Sequence, residues 1–140
     1  MNTPIEETLV LVKPDGVARN LTGEILRRIE AKGYSLVDVK LVEPDRSLLA
    51  AHYAEHAGKP FYEPLVEFME SGPIVAFRVA GNRVIEGFRA LAGTTDPTTA
   101  APGTIRGDLG RDWGSKVQQN LVHGSDSPES ATRELALWFD

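Results

Sequence analysis

One histidine, His123, stands in the run Asn120-Leu121-Val122-His123-Gly124-Ser125-Asp126-Ser127-Pro128-Glu129-Ser130. Asn120 to Val122 reads as a short apolar strand and Gly124 marks a turn. Ser127-Pro128-Glu129 then opens a helix with a cap residue, a first-turn proline and an acidic residue in order. His123 therefore falls where strand gives way to turn, a place that holds a side chain while leaving its ring open to a cleft. The first N–H groups of the following helix favour anions nearby. Against this stands the ordinary reading of a lone histidine satisfied at a strand end. Three cations change the balance if folding gathers them. Lys13 ends an apolar strand, Arg89 lies on the later turns of a helix, and Arg106 follows Thr95 in a segment shaped by proline and glycine. Brought around His123, they would supply fixed donors for phosphate oxygens and one neutral nucleophile, which is what phosphoryl transfer requires.

Two other patterns carry possible chemistry. His52-Tyr53-Ala54-Glu55-His56 matches the five-residue zinc-peptidase pattern, with two histidines on one face of a continuous helix, but no third-ligand motif accompanies it. A polar helix face with one or two groups lining a cleft is the simpler reading. Lys59-Pro60-Phe61-Tyr62-Glu63-Pro64 sets two aromatics on a stiff loop, a platform for a flat ring or a plug under the loop. Neither G-x-x-x-x-G-K-[ST] nor G-x-G-x-x-G occurs, so a P-loop or dinucleotide fingerprint is excluded.

The elements that must position these groups follow from periodicity. Thr8 to Val12 is a continuous apolar run, as in a strand buried on both faces, ending at the turn signal Lys13-Pro14-Asp15-Gly16. Leu21, Ile25, Leu26 and Ile29 recur at helical spacing over residues 21–32, and Gly33 stops that helix. Tyr34 to Val42 alternates as a half-buried strand with a one-residue shift near Val37. Asp45 caps a helix from about Leu48 to Ala57, and a second apolar helical pattern holds Leu65, Val66, Phe68 and Met69. Ile74 to Val79 is a strand, and Asn82 caps a helix through Val84, Ile85, Phe88 and Leu91, closed by Gly93. Thr94 to Asp108 has no period, and an irregular segment of that length inside a compact domain is usually functional. The last helix aligns Ala131, Leu135 and Trp138 on one side, and Glu134 within it can reach back toward His123. The order predicts an α+β sandwich of the ferredoxin-like βαββαβ kind. It has a four-stranded antiparallel sheet with helices packed on one face, the other face being left to extra elements or a partner subunit.

Composition bounds the function. The 140 residues fit one domain over 1–140 with a substantial core. No cysteine is present, so thiol catalysis and disulfides are excluded. A net charge of −5 argues against a general nucleic-acid-coating role, and no nucleic-acid partner is expected. No apolar run reaches the roughly 18 residues of a membrane span, and the amino-terminal Met1–Glu7 lacks the features of a secretion leader. A cytoplasmic, non-membrane protein is the expectation, and the sequon at Asn20 is read as chance.

Several runs together resemble the nucleoside diphosphate kinase family. They are Val12-Lys13-Pro14-Asp15-Gly16, His52-Tyr53, Lys59-Pro60-Phe61, Ser71-Gly72-Pro73, Pro102-Gly103-Thr104-Ile105-Arg106-Gly107-Asp108 and Asn120 to Ser127, in order over nearly the whole chain. The resemblance implies a ping-pong exchange of a γ-phosphoryl group between nucleoside triphosphates and diphosphates. His123 would be the phosphorylated residue through Nδ1, with Glu134 and the Gly124 region orienting its ring and Tyr53 and Ser125 supporting it. It further implies that Arg89, Thr95 and Arg106 bind phosphate, that Lys13 and Asn120 contact sugar hydroxyls and the phosphate end, and that Phe61 stacks on the base. Stacking reads no hydrogen-bond edge, hence broad base choice. Mg2+ would arrive with the nucleotide, without protein ligands, and the chain would form a homo-oligomer, a tetramer or hexamer. Two departures stand out. The Leu109–Gln119 segment is longer than the family pattern, with Gln118-Gln119 where Gly-Arg is usual, and the chain ends at Trp138-Phe139-Asp140, short of the extension many relatives carry. A nucleotide-binding regulatory module without catalysis and a zinc peptidase are the competing classes.

Overall fold

The computed structural model describes residues 4–140; the first three residues of the stretch considered for a leader lie outside it. Four strands, β1 (Ile5–Val12), β2 (Ser35–Val42), β3 (Ile74–Asn82) and β4 (Val122–Gly124), form one sheet in the order β2-β3-β1-β4. Every neighbouring pair is antiparallel. The helices are α1 (Pro14–Ala18), α2 (Thr22–Ala31), α3 (Arg46–His52), α4 (Tyr62–Met69), α5 (Val84–Ala92), α6 (Ile105–Leu109) and α7 (Pro128–Phe139). A single 3-10 turn covers Ala54–His56.

The unbroken apolar run of β1 is explained by its central place between β3 and β4. Side chains alternate across a strand, so Val10 and Val12 enter one core with Ile25, Ile29, Phe77, Val84 and Phe88 from α2, β3 and α5. Leu9 and Leu11 enter a second core with Leu49, Val66, Met69, Leu135 and Trp138 from α3, α4 and α7. The two crossover helices α2 and α5 thus share one sheet face as the βαββαβ order predicts, and α3, α4 and α7 are the additional elements that cover the other. Burying each of these large side chains is worth roughly 1.5–3 kcal/mol, so β1 is anchored from both sides. β2 is an edge strand, and Val37, Val39 and Leu41 remain exposed on it. The shift read near Val37 is an irregularity in the β2–β3 register between Leu36 and Asp38.

Three local readings are corrected. The α3 helix stops at His52 and gives way to the 3-10 turn. His52 and His56 therefore do not share one continuous helix face, and the geometry behind the zinc-peptidase pattern is lost. The segment predicted to lack structure contains α6, whose cap Thr104 accepts a hydrogen bond from Gly107 N at 2.9 Å. At the start of α5 the cap position is Arg83, in the left-handed region at φ 52°, rather than Asn82.

Candidate active site

Strand β4 holds His123 between Val122 and Gly124, opposite Leu11 of β1. His123 is inside this short strand rather than past its end, because the chain turns one residue earlier. Leu121 takes φ 71°, a conformation that costs a non-glycine residue on the order of 1 kcal/mol. Its backbone is held on both sides: Leu121 N donates to Asp15 Oδ2 at 3.1 Å, and Leu121 O accepts from Lys13 N at 2.8 Å. The turn after β1 and the entry to β4 are therefore one unit. Gly124 is required by packing, since a Cβ there would lie 2.6 Å from the Phe88 ring of α5.

A buried relay fixes the histidine ring. Leu9 N donates to Ser125 Oγ at 3.3 Å, Ser125 Oγ donates to Glu134 Oε1 at 2.7 Å, and that same oxygen lies 2.8 Å from His123 Nε2. Burial acts to raise the Glu134 pKa, but the hydrogen bond and charge of His123 and the Ser125 hydroxyl outweigh it and hold the group below its ordinary value. A carboxylate facing Nε2 favours the Nε2–H tautomer, which leaves Nδ1 with its lone pair free. On another side His52 packs edge-on to His123, ring centroids 4.8 Å apart. His52 is buried, and Trp138 Nε1 donates to its Nδ1 at 3.0 Å. Burial first, then the charge of His123, pushes the His52 pKa down to about 3, so it is a neutral neighbour. His52, His123 and Glu134 each place one donor atom within 4.8 Å of the others, yet Nδ1 of His52 already serves Trp138 and Nε2 of His123 faces Glu134. Tyr53 packs edge-on to His52 at 4.6 Å and meets His123 through it; burial, then the Glu134 charge, raises its pKa and keeps the phenol neutral.

The open face of His123, 20% exposed, looks onto a cleft of about 520 Å³ lined by Lys13, Arg89, Thr95, Arg106 and Asn120. Sequence positions 13, 89, 95, 106, 120 and 123 are thus brought together. Arg106 is part of the frame as well as of the cleft. Its guanidinium donates to Gly93 O at 2.9 Å, Asn120 O at 3.1 Å and Val122 O at 2.7 Å, clasping the end of α5 to β4. Burial, then the charge of Arg89, pushes its pKa down to about 10, and it remains charged at neutral pH. Arg89 is exposed, and among the described residues its guanidinium makes no hydrogen bond or ion pair. Asn120 accepts from Lys13 Nζ at 2.9 Å and donates to Thr95 O at 3.2 Å, so the Gln118-Gln119 that precedes it leaves it firmly oriented. Burial, then Arg106, lowers the Lys13 pKa to about 8.

A second hollow continues from the first, sharing Lys13, Thr95 and Asn120 and adding Phe61, Lys116, Val117 and Gln118. Phe61 is 49% exposed, with its ring available. Val117 was not anticipated from the sequence; an isolated valine in an aperiodic segment gives no signal. His52 was seen in the peptidase pattern and among the runs of the family resemblance, but neither gave it a role, and its hydrogen bond to a residue 86 positions away has no local trace.

A groove with a tethered imidazole and three cations at one end and an aromatic face at the other fits a nucleotide tail and base. Comparison with known proteins bears on the same point. The family model described as nucleoside diphosphate kinase matches residues 6–140. A nucleoside diphosphate kinase of Streptomyces avermitilis is 60% identical over 135 residues, 96% of this chain and 96% of that protein. One from Mycobacterium avium is also 60% identical, with the same coverage of both. Among solved structures, a halophilic nucleoside diphosphate kinase of Halobacterium salinarum in complex with CDP superposes with a TM-score of 0.91 at 47% identity, covering 98% of this chain and 89% of that one. A nucleoside diphosphate kinase family protein of Babesia bovis gives 0.89 at 46%, covering 96% and 88%. With a match this long in sequence and this close in fold, the chain belongs to the nucleoside diphosphate kinase family.

Proposed function

We propose that this chain moves the γ-phosphoryl group of a nucleoside triphosphate to a nucleoside diphosphate through His123. The observation that carries the assignment is the 2.8 Å contact between His123 Nε2 and Glu134 Oε1, which commits one ring nitrogen to a carboxylate and leaves Nδ1 for the cleft. In the first half-reaction the Nδ1 lone pair forms a bond to Pγ as the bond from Pγ to the β-phosphate oxygen breaks, and the diphosphate departs. Positive charge grows on the imidazole, and the Glu134 carboxylate stabilises it through Nε2–H. In the second half-reaction a β-phosphate oxygen of another diphosphate bonds to the same phosphorus as the Nδ1–P bond breaks, its electron pair returning to Nδ1 and restoring neutral His123.

Arg89, Arg106 and Thr95 hold the phosphate oxygens, Lys13 and Asn120 span the sugar hydroxyls and the phosphate end, and Phe61 stacks on the base. Ser125 and Tyr53 act through Glu134 and His52 rather than on phosphate. The cleft wall is cationic, with Lys13, Arg89 and Arg106, which suits polyphosphate oxygens and not a dedicated metal cage; Mg2+ would enter as part of the nucleotide substrate and would offset phosphate charge there. The 1–140 chain acts as one nucleoside diphosphate kinase-like domain. The exposed Val37, Val39 and Leu41 on edge strand β2 support assembly into a homo-oligomer, a tetramer or hexamer. No helix among the described residues is long and apolar enough to cross a membrane, and the cytoplasm, where nucleoside triphosphates are made and spent, is the proposed location.

The test is incubation with γ-labelled ATP, followed by a coupled assay with ATP and dTDP. Wild type takes up an acid-labile label and passes it on. His123→Ala takes up none and loses at least about 10⁴-fold in transfer. Label on both proteins would remove the assignment.

A further inference from the structure

The far end of the cleft carries polar groups that the reaction as described does not use. Arg89, Arg106 and His123 line only the phosphate end, while Phe61, Lys116, Val117 and Gln118 line only the other. A base laid against Phe61 shares its hollow with Lys116 and Gln118. Among the described residues neither of these side chains makes a hydrogen bond or ion pair. Of the cations nearby, Lys13, which lines both ends, already donates to Asn120 at 2.9 Å, and Lys59 on the Phe61 loop lies 3.4 Å from His56 Nδ1 and 5.8 Å from the centroid of the Phe61 ring. The loop bearing Lys116 is shaped by its own bonds: Gly114 N donates to Asp112 Oδ1 at 2.7 Å with Gly114 at φ 73°, and Ser115 Oγ donates to Val117 O at 3.0 Å. An unengaged ammonium is thus presented beside the aromatic platform by a folded loop.

An ammonium has three donors and no acceptor, whereas the Gln118 amide offers both and takes no side. Lys116 therefore separates bases by what their edges expose. The oxygen at C6 of guanine, or at C4 of uracil or thymine, pairs with it; the amino group that adenine or cytosine carries at the same position does not. Guanine offers O6 and N7 side by side, the arrangement Lys commonly contacts. We propose that Lys116 is a specificity-determining residue, biasing acceptance toward keto bases, guanine above all, within each ring size. The stack on Phe61 admits every base, and Lys116 ranks them. The inference rests on the kinase reading for the placement of the base.

The experiment measures kcat/KM for GDP against ADP and UDP against CDP as phosphate acceptors, pairs in which ring size and stacking are matched. Wild type favours the keto member of each pair by about three- to tenfold, a modest factor because an exposed ammonium competes with water, and the difference resides in KM. Lys116→Met abolishes the preference with kcat unchanged, and Lys116→Arg retains it. Lys116 is exposed, so both variants fold. Equal values for both members of each pair in wild type, or a preference that survives Lys116→Met, overturns the proposal. Failure of the kinase reading is a separate result, seen as no transfer to any of the four diphosphates. Displacement of a fluorescent nucleotide by GDP and ADP then reads the preference directly, and equal displacement overturns it.

Discussion

His123 and Phe61 mark the two ends of one cleft and are held in opposite ways. His123 sits in a sheet strand, its ring tied by a buried carboxylate that a buried serine also holds, while Arg106 clasps the carbonyls on either side of Leu121. Phe61 occupies the position just before α4, on a proline-framed loop, with its ring half in solvent. The contrast follows from what each end must do. Bond exchange at phosphorus needs reacting atoms placed to a fraction of an ångström, so that end is assembled on strands and helix ends. A base needs only a flat face, and stacking tolerates lateral displacement, so that end can be left to loops.

The contrast sharpens if each end is damaged alone. Glu134→Gln keeps the shape of the relay but removes the charge that stabilises the imidazole as it becomes positive. A fall of about 10²-fold in kcat is expected, with KM for ATP little changed; steady-state kinetics that lose KM and keep kcat would mean that Glu134 merely fills space. Phe61→Ala should do the reverse. Loss of one stacking partner raises KM by roughly tenfold for every base alike and leaves kcat and the melting temperature in place. A melting temperature that drops with it would show that the ring packs under its loop rather than serving the cleft.

How far each end could be read from the sequence follows the same division. The start of α7 was legible because Ser127 and Pro128 are local signals, and the irregularity in β2 because alternation slips at Val37. In contrast α6 went unseen, since five residues complete less than two turns and show no period. The end of α3 at His52 was also hidden, because neither glycine nor proline follows until Gly58. The phosphate end depends on contacts across long separations: Lys13 to Asn120 spans 107 positions and Leu9 to Ser125 spans 116. Periodicity carries no information about such pairs. That Lys13 and Asn120 share a site was expected only through the family resemblance, the Leu9–Ser125 bond was not expected at all, and the left-handed Leu121 at the entry to β4 has no sequence signature.

Lys13 lies between the two ends, lining both, and pH tests which end it serves. Burial and Arg106 bring its pKa from the ordinary 10.5 down to about 8. Above pH 8 the folded protein therefore loses this cation, and KM for nucleotides should rise severalfold while falling pH below 8 changes it little. Stability moves the other way. Between about pH 8 and 10.5 the unfolded chain binds the proton that the folded chain has released, so this group makes unfolding less favourable as pH rises through that window. Weaker binding to a protein that is no less stable is the signature, read from KM and denaturant midpoints across the same buffers. Lys13→Arg, charged throughout, should extend the plateau of KM past pH 9. If its profile instead bends where the wild-type profile does, the titrating group lies elsewhere, and Lys13 belongs to the frame that holds Asn120 rather than to the phosphate site.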